Sequence, residues 1–82
     1  MSEQEVIEAI LEAIEQLSEE DELSASALMR LEEIKGVLHE DIDMSLRVDR
    51  VRAILEDLDE DERIPNYVRT QLWSMTALLE LL

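Results

Sequence analysis

Ile7-Glu8-Ala9-Ile10-Leu11-Glu12-Ala13-Ile14-Glu15-Gln16-Leu17 and Val48-Asp49-Arg50-Val51-Arg52-Ala53-Ile54-Leu55-Glu56-Asp57-Leu58 are the two stretches that decide the fold. In both, aliphatic residues recur at intervals of three and four, which gathers them on one face of a helix. The chain has 82 residues, and a shift of 41 places Ile7 on Val48, Ile10 on Val51, Ile14 on Leu55 and Leu17 on Leu58. The same shift puts Leu23 on Ile64, Ala27 on Val68, Leu31 on Leu72, Ile34 on Met75 and Leu38 on Leu79. Part of this agreement is inevitable between helical hairpins of equal length, because every core position is apolar by construction. The matched acidic links, residues 18–22 and 59–63, and the Leu23/Ile64 match add the case for two related αα-hairpins.

Four apolar stripes follow: Ile7, Ile10, Ile14 and Leu17; Ala27, Leu31, Ile34 and Leu38; Met44, Val48, Val51, Leu55 and Leu58; Val68, Leu72, Met75, Leu79 and Leu82. With one glycine and one proline in the whole chain, little interrupts helix formation, and four amphipathic helices are predicted. Ser2 with Glu5 forms a capping box for the first, Asp43 is placed to cap the third, and Pro65 suits the first turn of the fourth. Short links make sequential helices antiparallel. Two hairpins are too few for a solenoid, so they close on each other. The expected fold is all-α, a compact four-helix bundle in one domain, residues 1–82, made of hairpins 1–41 and 42–82. Its core should contain Ile10, Ile14, Leu31, Ile34, Val51, Leu55, Leu72 and Met75.

The formal net charge is −15, from 22 acidic and 7 basic side chains. That excess repels nucleic acid and anionic membrane surfaces, and neither is expected as a partner. The 46% of apolar residues is enough for a core, so the charge does not imply disorder. Without cysteine, disulfides, thiolate zinc sites and cysteine nucleophiles are excluded. No membrane-length apolar run and no secretory signal can be read, which makes a cytoplasmic protein the expectation. One lysine, Lys35, beside six arginines in so acidic a chain matches the composition of proteins that work in high salt.

The halves differ where the core does not dictate the residue. Trp73 falls on Glu32, Leu81 on Glu40, Leu82 on Asp41 and Tyr67 on Ser26. Extra apolar surface of this kind either covers a seam between the hairpins or meets another chain. In the first case Trp73 fills the seam with Arg69 packed over its ring. In the second, Trp73, Leu81 and Leu82 form a contact with a partner, most simply a homodimer through the fourth helix.

Ile64-Pro65-Asn66-Tyr67-Val68-Arg69-Thr70-Gln71-Leu72-Trp73 resembles the carboxy-terminal signature of a family of small, uncharacterised archaeal proteins. In that signature an Ile-Pro pair precedes Arg-Thr and then an aliphatic-Trp pair. Leu46-Arg47-Val48 followed by Ile54-Leu55, and Leu79-Glu80 near the end, resemble the family's middle and final segments, so the likeness covers about residues 23–81. Members tend to open the second helix with proline and several arginines, whereas Ser24-Ala25-Ser26-Ala27 stands here with only Arg30 following. The resemblance implies a compact four-helix fold and carries no chemistry with it.

The candidate chemistry is thin. Glu8, Glu12 and Glu15 lie on the polar side of the first helix, where water leaves a carboxylate ordinary. His39, the only histidine, follows the second helix beside Glu40 and Asp41 without zinc-ligand spacing. Asp57, Asp59 and Asp61 alternate like the start of a calcium loop, but Glu62 and Val68 occupy the places of its glycine and final glutamate. Arg47, Arg50 and Arg52 read as helix-surface ion pairs, Arg52 with Glu56 and Arg47 with Asp43. Residues 1–41 carry a net charge of −11 and residues 42–82 a net charge of −4, a polarity that would steer a basic partner to the first hairpin. The expectation is a non-enzymatic protein-protein interaction module with Trp73, Tyr67, Arg69, Leu81 and Leu82 as candidate contacts. Its partner is a protein or a second copy, and no cofactor, metal or specific small molecule is implied. The alternative is a small hydrolase or cation-binding protein using surface carboxylates.

Overall fold

A computed structural model describes Met1–Leu82 as four helices: α1 (Glu3–Ser18), α2 (Ala25–Leu38), α3 (Met44–Asp59) and α4 (Asn66–Leu79). The 41-residue shift carries each boundary of the first hairpin onto its counterpart in the second, Glu3 onto Met44, Ser18 onto Asp59, Ala25 onto Asn66 and Leu38 onto Leu79. The helices form a closed ring in which α1 packs on α2 and α4, and α3 on α2 and α4. No close approach occurs across either diagonal, which leaves every helix with an outward face. The result is the antiparallel four-helix bundle, 32 × 20 × 18 Å, that the stripes predict.

Helix starts have local causes. Ser2 Oγ accepts from the Glu5 amide at 3.2 Å, and Glu5 Oε1 accepts from the Ser2 amide at 3.2 Å, closing the capping box. Ser24 Oγ accepts from the Ala27 amide at 3.1 Å and starts α2. Asp43 occupies the cap position of α3, but its side chain accepts no capping bond. Its backbone carbonyl takes the amides of Leu46 and Arg47 instead, both at 3.1 Å. Pro65 stands one residue earlier than expected, at the cap of α4 and outside its first turn. Its extended ψ directs its carbonyl to the amides of Val68 and Arg69.

All eight expected core residues are buried, and one apolar cluster joins the four helices. Val6, Val37 and Ile54 join it from beside the stripes. A helix in a closed ring touches two neighbours, so its buried face is wider than one i, i+3, i+4 row. No polar or charged residue is buried.

The arginines of α3 reach other elements. Arg52 pairs with Asp49 at 3.3 Å and with Glu80, beyond α4, at 3.1 Å, leaving Glu56 without a cation. Arg47 donates to the Leu38 carbonyl at the end of α2 at 3.1 Å, and not to Asp43. Arg50 pairs with Glu40 at 2.7 Å. Both intrahelical pairings expected from spacing are therefore replaced. The ends of α2 and α4 offer oxygens to these guanidinium groups, and helix C-termini attract cations.

Candidate functional site

Trp73 does not fill a seam in the core: it is 57% exposed. Its ring stands at the edge of a groove between α3 and α4, about 220 Å³ in volume, lined by Leu55, Glu56, Asp59, Leu72, Trp73 and Thr76. The indole N–H donates to Asp59 Oδ1 at 2.9 Å, which fixes the ring from its polar edge. Arg69, expected over that ring, turns to the end of α3. Its guanidinium donates to the Asp59 carbonyl and, at 2.8 Å, to the Asp61 carbonyl. The Asp59 carbonyl is one that the end of α3 leaves without an intrahelical partner, while the Asp61 carbonyl, beyond the helix, also accepts from the Ile64 amide at 3.2 Å. Only the Arg69 side chain's edge stays accessible, so it acts as a strut between α4 and α3.

Tyr67 lies on the other flank of α4, where its hydroxyl donates to Glu20 Oε2 at 3.2 Å. Desolvation raises the Tyr67 pKa above 10.0, and the charges of Glu20 and Glu22 raise it further. Leu81, just past the helix, is 62% exposed. Leu82 is half-buried and packs on the core cluster. The five candidate residues thus do not form one patch. Trp73 and Ala77, one turn apart, share the outward face of α4 and Leu81 is exposed just past its end, while Tyr67 marks one border and Arg69 and Leu82 serve the bundle.

The more informative feature of α4 is what its surface lacks. Its exposed side chains are Asn66, Tyr67, Thr70, Gln71, Trp73, Ser74 and Ala77, and none is charged. Arg69 is the only charged residue in α4, and it is committed to α3. By contrast, Glu3, Glu5, Glu8, Glu12 and Glu15 all lie exposed on α1. Carboxylates surround the charge-free face: Glu20 and Glu22 on the α1 side, and Glu56 and Asp59 along the α3 groove. None of Glu20, Glu22 and Glu56 has a cationic partner, whereas Asp59 meets Arg69 at 3.5 Å.

The three alternating aspartates Asp57, Asp59 and Asp61 are each engaged. Asp57 pairs with Arg30 at 2.9 Å, and Asp61 with Arg63 at 3.0 Å, so the three alternating aspartates face separate partners. Hydrogen bonds from the Arg63 side chain, then from its backbone amide, hold the Asp61 carboxyl below its ordinary 3.8. These pairs line a polar hollow beside the start of α2, where both arginines, Arg30 and Arg63, are already taken by aspartates. His39 ends α2 in solvent with Nδ1 2.8 Å from the Lys35 carbonyl. No three His, Asp or Glu side chains converge as a metal ion requires, and no helix is long and apolar enough to cross a membrane.

Comparison with known proteins agrees with the resemblance read from the Ile-Pro, Arg-Thr and Leu-Trp pairs. An Archaeoglobus fulgidus protein described as "UPF0147 protein" is 28% identical over 74 residues, covering 90% of this chain and 85% of the relative. A Methanosarcina mazei protein of the same description is 27% identical over 77 residues, covering 93% and 83%. No solved structure matches the chain. The family model described as "Uncharacterised protein family (UPF0147)" matches residues 1–82, the full sequence. The chain belongs to this family, UPF0147.

Proposed function

We propose that the protein is a cytoplasmic protein-protein interaction module that docks a basic partner on the outward face of α4. The observation that carries this reading is the absence of charge on that face in a chain of net charge −15. Interface cores are depleted of charged residues and enriched in Trp and Tyr, and their rims are polar. Here the charge-free centre holds Trp73 and is bordered by Tyr67, and the rim carries the unpaired carboxylates Glu20, Glu22 and Glu56. A partner complementary to both zones has an apolar centre and a basic border. The acidic α1, packed beside α4, adds long-range attraction that speeds the encounter.

A second copy fits less well, since its rim would set carboxylates against carboxylates. A hydrolase needs a carboxyl group shifted by burial or by a close like charge, and the buried set contains no carboxylate. Photo-crosslinking in the native cells tests the proposal, with a photoreactive residue at position 77 and, as control, at position 12 on α1. Adducts to one identified basic protein from position 77, in excess over position 12, support it. Adducts of twice the 9.5 kDa chain mass indicate a homodimer instead. Equal labelling from both positions, or none from position 77, overturns the docking face.

A further inference from the structure

The groove beside Trp73 has a chemistry more specific than the face around it. We infer that it receives an arginine side chain of the basic partner, an inference that rests on the docking face proposed above. Leu55 and Leu72 supply an apolar floor, Trp73 an aromatic wall, and Glu56 a carboxylate that no cation of this chain occupies. A guanidinium suits that set because it stacks on an aromatic face while its planar fork bonds a carboxylate. Its three-carbon stem covers the floor, as long basic side chains do on apolar surface.

The ring is prepared for this. Its N–H is already bonded to Asp59 at 2.9 Å, so docking needs no reorientation of the indole and leaves its face for stacking. Asp59 itself is occupied by Trp73 and Arg69, which leaves Glu56 as the free anion of the groove. Thr76, on the α4 side of the groove with Trp73, donates its hydroxyl to the Leu72 carbonyl at 3.1 Å and does not compete for Glu56. The charge of the whole surface would attract any cation weakly; the groove adds a demand for a planar one.

Trp73 is the sole tryptophan, so its emission reports the groove directly. The probe is tetra-arginine amide, titrated at low ionic strength into the full chain, into Glu56→Gln and into Glu12→Gln, with tetra-lysine amide in parallel. Both variants remove one exposed carboxylate that bonds nothing in the bundle. The expected result is a saturable change of Trp73 emission in the wild type and Glu12→Gln, with binding weakened about two- to fivefold by Glu56→Gln. Tetra-lysine should bind more weakly. Equal affinity of all three proteins would assign the response to diffuse attraction and overturn the inference, as would no response or tetra-lysine binding as tightly as tetra-arginine. Position-77 crosslinking reads the docking face independently: adducts there without an arginine response would remove the groove's role and leave the face standing.

Discussion

Trp73 and Asp59 are joined across the α3–α4 junction by a 2.9 Å hydrogen bond from indole to carboxylate, at a place where the ring is 57% exposed. A large apolar side chain left in water would ordinarily sample several rotamers. Here one polar edge is hydrogen-bonded, which favours one orientation of the ring and lowers its ordering cost on docking.

Asp59→Ala should release the ring without unfolding the bundle. The loss in stability should stay below about 1 kcal/mol, because the bond is solvent-exposed and removing a carboxylate from the C-terminal end of α3 relieves repulsion with the helix dipole. Trp73 fluorescence anisotropy should fall. An unchanged anisotropy would show that packing, and not Asp59, holds the ring.

Arg69 and Arg52 separate two kinds of arginine. Arg69→Ala leaves the Asp59 carbonyl at the end of α3 without its donor and the Asp61 carbonyl with the Ile64 amide alone, and should cost about 1–3 kcal/mol in urea unfolding. Arg52→Ala removes exposed pairs with Asp49 and Glu80 and should cost under about 1 kcal/mol. The reverse order would contradict the strut role of Arg69.

Inside and outside of the bundle should also respond oppositely. Leu72→Ala, at a site 2% exposed, should cost about 2–5 kcal/mol. Gly36 lies within α2 with nothing within 4 Å of where a Cβ would stand. Gly36→Ala should therefore stabilise by about 0.5–1 kcal/mol, since alanine loses less backbone freedom in a helix. A destabilised Gly36→Ala in thermal melts would reveal a contact on that face.

Folding should tighten with KCl. Repulsion in a chain of net charge −15 weakens as the screening length falls from about 10 Å at 0.1 M to about 3 Å at 1 M. The melting temperature should rise across that range. An unchanged value would detach the acidity from high salt and leave it to partner binding.

Tyr67, the only tyrosine, makes the pH dependence readable. Its folded pKa lies above 10.0 because desolvation, then Glu20 and Glu22, oppose the phenolate. The stability it contributes is complete below pH 10.0 and is lost as pH rises through the higher folded value. Ultraviolet titration of the native protein should give a midpoint above 10.0, lowered by Glu20→Gln. A midpoint unmoved by that substitution would exclude the cross-link contact as a cause.

The fold was legible because each helix repeats its aliphatic residues at three and four. The one-dimensional pattern therefore already states which side turns inward, and the 41-residue shift places the links. What spacing does not state is where long side chains go once helices are neighbours. Arg52 had Glu56 within reach along its own helix, yet it reaches Asp49 and Glu80. Arg69 and Trp73 were paired by their i, i+4 separation, yet both converge on Asp59 from α3. The charge-free face of α4 was present in the sequence as residues 70–79, which hold no charge. Recognising it as one face required knowing that Arg69 turns away from it.

The docking face itself is tested most directly by placing one carboxylate at its centre. Ala77 is exposed and uncharged; glutamate is a good helix former, but in the last turn of α4 its carboxylate opposes the helix dipole, so Ala77→Glu should cost no more than about 1.5 kcal/mol and leave the bundle folded. The measurement is the mass, by size exclusion with light scattering, of the tagged protein taken directly from its native cells. The wild type should elute in a complex with a basic protein, well above 9.5 kDa, and Ala77→Glu should elute free. Identical masses for the two, with Ala77→Glu folded by its cooperative thermal melt, would contradict a docking surface on α4.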